Sequence, residues 1–321
     1  MKWGVVGCAK IAENAVIPAI LSGNESELIA VASRSSIKAQ EFAKKFDCKP
    51  YGSYEELLAD ETIESVYIPL PTGLHYEWVM KALENDKHVL VEKSAGVNYT
   101  ECKSMVELAR QKNLALVENF QFQFHSQHKY VKGLISENKL GEIRSFRSSF
   151  GFPPFDVESN IRYNRELGGG ALLDSGAYVL KVTSFLFGND FEVASSFLTQ
   201  HKKFEVDWAG GAFLFSKNQR MFSQVSFGFD NYYQCNYEIW GSEGKLTSTR
   251  AFTAKPGFSP TVILEQSGKV EEIILPSDNH FLNMINHFQD IVLRRDFDDD
   301  YEKILVQASL IDQVLNKNEM A

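Results

Sequence analysis

At 321 residues with 44% hydrophobic content, the chain is longer than one hydrophobic core usually serves and has enough apolar residues to build two. A formal net charge of −9 argues against a nucleic-acid polyanion as main partner, while a local basic pocket for one small phosphorylated ligand stays permitted. Cys8, Cys48, Cys102 and Cys235 are scattered, with no Cys-x-x-Cys pair and no histidine cluster at zinc spacing, so free thiols and no metal are expected. No stretch approaches the roughly 20 apolar residues of a membrane span. A strand-like run begins directly after Met1-Lys2, leaving no room for a signal peptide, and the expected location is cytoplasmic.

In chain order, the first third alternates short β-rich runs with helical patterns. Strands are expected at 3–6, 28–32, 65–68, 88–91 and 115–118, and helices at 36–46, 54–58, 74–85 and 100–111. That alternation predicts an α/β unit, a parallel sheet covered by helices in the Rossmann manner, over residues 1–121. A helix follows at about 126–140, and then the texture changes. Strands are expected at 143–150, 191–199, 209–215, 221–227, 237–240 and 262–264, with helices at 171–187, 280–293 and 301–315. Consecutive strands joined by turn residues such as Ser216-Lys217-Asn218-Gln219 predict an α+β domain over 122–321 with a large, mainly antiparallel sheet.

The segment from Gly4 to Ala12 sits where the first strand turns into the first helix. A dinucleotide needs a tight turn there, close approach of backbone to pyrophosphate, and helix N-terminal amides aimed at the anion. Gly7 meets the first need; Ala9 and Ala12 stand where glycines are usual, and an ordinary strand-to-helix turn is the competing reading. The second strand ends in Ser33-Arg34, where an NAD site would place an acid on the ribose 2′-hydroxyl. A hydroxyl and a guanidinium suit a 2′-phosphate instead, which favours NADP while leaving NAD open. A solvated Ser/Arg pair at a helix start competes with this reading.

Lys93 follows the apolar run Val89 to Val91 and Glu92, at the strand end where open α/β sheets place their ligands. A lysine delivered there can polarise or protonate a carbonyl. The most distinctive stretch runs from Leu167 through Gly168-Gly169-Gly170 to Asp174 and Tyr178. Three glycines let backbone pass close to a ligand or another segment, and the acid and the phenol fall four apart on one helix face.

Taken together, these motifs resemble the glucose-fructose oxidoreductase, inositol dehydrogenase and MocA-like family over nearly the whole chain. The resemblance rests on Gly7-Cys8-Ala9-Lys10-Ile11-Ala12, Pro69-Leu70-Pro71-Thr72-Gly73-Leu74-His75, Glu92-Lys93, Glu118-Asn119-Phe120 and the stretch from Gly168 to Tyr178. Tyrosine rather than histidine at 178 is similar to the glucose-fructose oxidoreductase, dihydrodiol dehydrogenase and nucleotide-sugar 3-ketoreductase branches. The resemblance implies hydride transfer between a nicotinamide and a secondary alcohol or ketone of a sugar, nucleotide-sugar or related polyol. Lys93, Tyr178 and Asp174 would be catalytic, with Arg162 joining them in binding substrate. Gly7, Ala9, Lys10, Ile11, Ser33, Arg34, Leu70, Pro71, His75, Glu92, Lys93 and Asn119 would hold the cofactor, a helix-cap role for His75 being the alternative. A homodimer or homotetramer paired through the second-domain sheet is also implied. Ser94 stands where the family has proline and Gln123 where it often has arginine, and proline fixes φ where serine does not. A dinucleotide-binding sensor or a structural subunit of the same fold is therefore the competing function.

Overall fold

The computed structural model describes residues 1–155 and 160–318, which form two compact units. The first comprises Met1–Asn119 with Phe281–Leu305, and the second Phe120–His280 with Val306–Ala321.

In the first unit six strands form one parallel sheet in the order β3-β2-β1-β4-β5-β6. They are β1 (Lys2–Val6), β2 (Glu27–Ala32), β3 (Lys49–Tyr51), β4 (Ser65–Ile68), β5 (His88–Glu92) and β6 (Leu116–Asn119). Strands β4 and β6 are buried at every residue, as are the three central residues of β5, so Val66–Ile68 and Val89–Val91 read as continuous apolar runs rather than alternations. Between them run α1 (Ile17–Ser22), α2 (Ser36–Phe46), α3 (Tyr54–Leu58), α4 (His75–Glu84) and α5 (Tyr99–Lys112). Ser35, Ser53 and Asn98 cap α2, α3 and α5 by accepting from amides three residues on, while Asp47 and Asn113 end α2 and α5 in the left-handed conformation. The order of the sheet reverses direction between β1 and β4, and the carboxyl ends of those strands are where such sheets bind ligands.

The second unit holds α6 (Ser126–Ser136), α7 (Ala177–Phe187) and an eight-stranded sheet ordered β14-β13-β12-β11-β7-β10-β9-β8. Its strands are β7 (Ile143–Phe152), β8 (Phe191–Gln200), β9 (Asp207–Ser216), β10 (Phe222–Phe229), β11 (Gln234–Gly241), β12 (Gly244–Ser248), β13 (Thr261–Gln266) and β14 (Lys269–Ile274). Every pairing is antiparallel except β7 with β10, so the sheet is mixed and mainly antiparallel. Ala212, Leu214, Val225, Phe227, Cys235, Tyr237 and Ile239 alternate onto a buried face with Phe146 and Phe150. The other face leaves Phe197, Phe213, Phe215 and Trp240 exposed.

Two helices close the chain, α8 (His280–Arg294) and α9 (Asp298–Asn316). A single division at residue 121 puts both with the second domain, whereas contacts group Phe281–Leu305 with the first unit. The reason is packing on the parallel sheet: Phe288 lies 4.9 Å from Trp3 of β1, and Tyr301 donates to the carbonyl of Leu114.

Candidate active site

In the first unit, strand ends carry the expected cofactor residues. Gly7 follows β1 with φ of 119° and donates its amide to Ala32 at 3.0 Å. A Cβ there would stand 2.8 Å from Leu70 Cδ2, so glycine serves both the left-handed turn and the close approach of the loop after β4. Helical geometry starts at Lys10, past Ala9, which places free N-terminal amides at this turn. Ser33 is buried and its hydroxyl accepts from Ser35 N at 3.3 Å, while Arg34 is exposed and interacts with the Tyr54 hydroxyl. Lys38, four residues after Arg34, faces Cys8; burial pushes that thiol up to about 11 and Lys38 pulls it the other way. Lys38 was outside the expected set, although its spacing from Arg34 was visible.

The loop after β5 is held by three side chains. Glu92 Oε1 accepts from Tyr67 Oη and from Asn119 Nδ2, both at 2.6 Å. Burial raises this carboxyl above its ordinary range, against the pull of those donors. The Lys93–Ser94 peptide is cis. Next to it, His75 Nδ1 lies 2.7 Å from the Ser94 carbonyl and Nε2 lies 2.7 Å from the Leu70 carbonyl. Burial lowers His75 to about 4, outweighing both carbonyls, so the ring is neutral near pH 7 and donates to one of them. It ties the loop carrying Leu70 and Pro71 to the loop carrying Lys93. Glu118 Oε1 accepts the Ala95 amide at 2.9 Å, so the backbone beyond Lys93 is anchored with serine at position 94. The buried Asn119 Oδ1 has no hydrogen-bond partner among the described residues, an open acceptor that suits an amide such as the nicotinamide carboxamide. These features fit a dinucleotide.

In the second unit, Tyr178 is the second residue of α7. Its ring lies 5.4, 5.9, 5.2 and 5.5 Å from those of Phe120, Phe122, Phe150 and Phe252. Gln121 Nε2 donates to its hydroxyl at 3.4 Å. Residues Leu172–Gly176 form a π-helical turn, so the α-helical spacing expected between Asp174 and Tyr178 does not apply. Asp174 Oδ2 instead accepts from Arg162 Nε at 2.5 Å, and the Arg162 guanidinium stands over Phe155. Arg162 thus makes an ion pair within the protein, the alternative to contact with a substrate anion. Gln123 turns back to donate to the Phe120 carbonyl at 3.3 Å. Tyr67 and Gln121 were missed because one sits inside an apolar strand and the other in a stretch without periodicity.

A six-stranded parallel sheet of this order, with a glycine turn after its first strand, defines a Rossmann-type dinucleotide-binding unit. Residues 1–120 match the family described as "Oxidoreductase family, NAD-binding Rossmann fold", and residues 128–247 match the "GFO/IDH/MocA C-terminal domain". The chain is 36% identical to the dTDP-3,4-didehydro-2,6-dideoxy-alpha-D-glucose 3-reductase of Saccharopolyspora spinosa, over 98% of this chain and 96% of that protein. The enzyme of the same name from Actinomadura kijaniata is 37% identical, over 98% and 94%. The crystal structure of KijD10, a 3-ketoreductase from Actinomadura kijaniata in complex with NADP and TDP-benzene, superposes with a TM-score of 0.96. It is 36% identical, covering 100% of this chain and 98% of that one. The chain therefore belongs to the glucose-fructose oxidoreductase, inositol dehydrogenase and MocA-like family. It is an enzyme of the NAD(P)-dependent class acting on CH–OH groups and their ketones. Among the described residues no helix is long and apolar enough to cross a membrane.

Proposed function

We propose that this enzyme is a cytoplasmic, NADP-preferring reductase of a keto group on a nucleotide-linked deoxysugar. The observation that carries this reading is identity of 36–37% along 98% of the chain to reductases of that type, joined to the presence of Lys93, Asp174 and Tyr178 in this sequence. Residues 1–121 bind the dinucleotide in this reading, and residues 122–321 serve substrate binding and oligomerisation. Gly7, Ala9, Lys10 and Ile11 take the pyrophosphate on backbone amides, Ser33 and Arg34 take the 2′-phosphate, and Asn119 accepts from the carboxamide. Leu70, Pro71, His75 and Glu92 shape the loops around it. A bound nicotinamide supplies the hydride. Tyr178 donates the proton to the carbonyl oxygen, Lys93 hydrogen-bonds the same oxygen, and Asp174, fixed by Arg162, orients the sugar.

Partnering follows from the exposed sheet face. Phe197, Phe213, Phe215 and Trp240 point the same way and are 44%, 36%, 39% and 60% exposed, an apolar patch of the kind that marks a protein interface. A second copy of this chain is the partner proposed for it.

The test is a comparison of NADPH oxidation with a dTDP-linked 3-keto-deoxysugar, its UDP-linked counterpart and unlinked ketoses. The reading expects turnover to be concentrated on the nucleotide-linked ketones. Binding of NADPH without turnover of any ketone would favour the sensor, and higher kcat/KM on free ketoses would move the substrate class.

A further inference from the structure

We propose that Asp207, the first residue of β9, is a positioning residue that fixes the helical turn carrying Asp174 and leading into Tyr178; this rests on the role given to Tyr178 above. The turn that begins after Gly170 has no cap of its own: neither Ala171 nor Gly176 offers a side-chain oxygen to the leading amides. Unsatisfied N-terminal amides in buried surroundings need an acceptor from elsewhere. Asp207 supplies it from 35 residues away. Its Oδ2 accepts the Leu172 amide at 2.5 Å, and the Ala171 amide also bonds this carboxylate.

The fit is close enough to dictate a neighbouring residue. Gly170 has φ of 120°, and a Cβ built on it would stand 2.2 Å from Asp207 Oδ1. Glycine is required at 170 by both the backbone angle and the carboxylate. From the other side, the Gly170 amide donates to the Arg162 carbonyl at 2.9 Å and the Gly169 amide to the Asn164 carbonyl at 2.9 Å. The Arg162 side chain then bonds Asp174. The start of the turn is therefore clamped between Asp207 and the segment around Arg162, and Tyr178 follows it by a few residues in a box of four phenylalanine rings. Burial pushes the Asp207 carboxyl up to about 6, so near pH 7 it is largely ionised and bonds the amides as an anion.

Asp207→Ala removes the acceptor; Asp207→Asn keeps one oxygen for the Leu172 amide. With activity normalised to folded protein by circular dichroism, Asp207→Ala is expected to lose about 10- to 100-fold in kcat, with NADPH affinity within about twofold of the parent. Asp207→Asn is expected to recover most of that loss. Gly170→Ala, which drives a methyl into the carboxylate while leaving it in the sequence, is expected to lower kcat in the same way and serves if Asp207→Ala does not fold. A parent-like kcat in both Asp207→Ala and Gly170→Ala overturns the proposal. So does a loss confined to KM, or an Asp207→Asn variant no better than Asp207→Ala. Tyr178→Phe is assayed alongside: if it alone retains full activity, the failure lies in the role given to Tyr178 and not in Asp207.

Discussion

Replacing Tyr178 with phenylalanine separates catalysis from folding, because the structure sets very different magnitudes for the two. The change removes one oxygen and leaves the ring in contact with Phe120, Phe122, Phe150 and Phe252, whose centroids lie 5.2 to 5.9 Å away. No cavity opens, and the hydroxyl gives up the long hydrogen bond from Gln121 at 3.4 Å. A neutral hydrogen bond contributes about 1 kcal/mol, so losing it should move the midpoint of thermal unfolding by only about 2–4 °C. Loss of a general acid costs far more. Positioned proton transfer contributes about 100- to 10,000-fold, or roughly 3–5 kcal/mol of barrier. Steady-state reduction of the ketone, with NADPH affinity measured separately by fluorescence, should show kcat down by that factor and coenzyme binding intact. Lys93→Ala should behave alike, and under the proposed roles the double variant should fall little below either single one, since residues that serve one chemical step work as a unit. A Tyr178→Phe enzyme with near-parental kcat on its own ketone refutes the assignment and leaves Lys93 as proton donor.

Arg34→Ala should weaken NADPH binding by about 10- to 100-fold and leave NADH unchanged, since a guanidinium on the 2′-phosphate makes charge-assisted bonds that NADH lacks; equal losses for both coenzymes rule the contact out. Light scattering at micromolar concentration should give a dimer or tetramer, and Phe213→Glu combined with Phe215→Glu should dissociate it, whereas a monomeric parent removes the sheet-face interface. Burial lowers His75 and His280 to about 4 and His128 to about 3 from an ordinary 6.5, so their stability contribution is present above 6.5 and lost as pH falls through those values. Asp207, raised to about 6, opposes them, but the three histidines outweigh one carboxyl, so stability in urea titrations should fall as pH drops from 6.5 toward 4; a flat profile there contradicts buried neutral histidines.

What could be read from the sequence follows from how local each physical cause is. Val89-Leu90-Val91 and Val66-Tyr67-Ile68 announce buried parallel strands because both faces of such a sheet are covered, which favours apolar residues on both. Gly244–Ser248 and Lys269–Ile274 were missed for the opposite reason. The first carries one large apolar residue, Leu246, and is a strand because β11 and β13 pair with it on either side; the second is an edge strand with almost every side chain exposed. The site divides along the same line. Gly7, Ser33 and Lys93 could be placed at strand carboxyl ends, the side on which a parallel sheet presents its ligand whatever the ligand is.

The residues that hold those groups in place leave no such trace. Tyr67 reaches Glu92 across 25 residues, Gln121 reaches Tyr178 across 57, and Asp207 reaches Leu172 across 35. Each is chosen by proximity in the fold, and nothing in its own neighbours in sequence distinguishes it from a strand tyrosine, a loop glutamine or a strand-start aspartate. Gly170 is the exception that shows the link. A glycine run ahead of a helix was visible as permission for close approach, yet what approaches, the Asp207 carboxylate, is known only once β9 has been laid beside that turn. A sequence can thus show where backbone or side chain must yield, while the partner it yields to is supplied by topology.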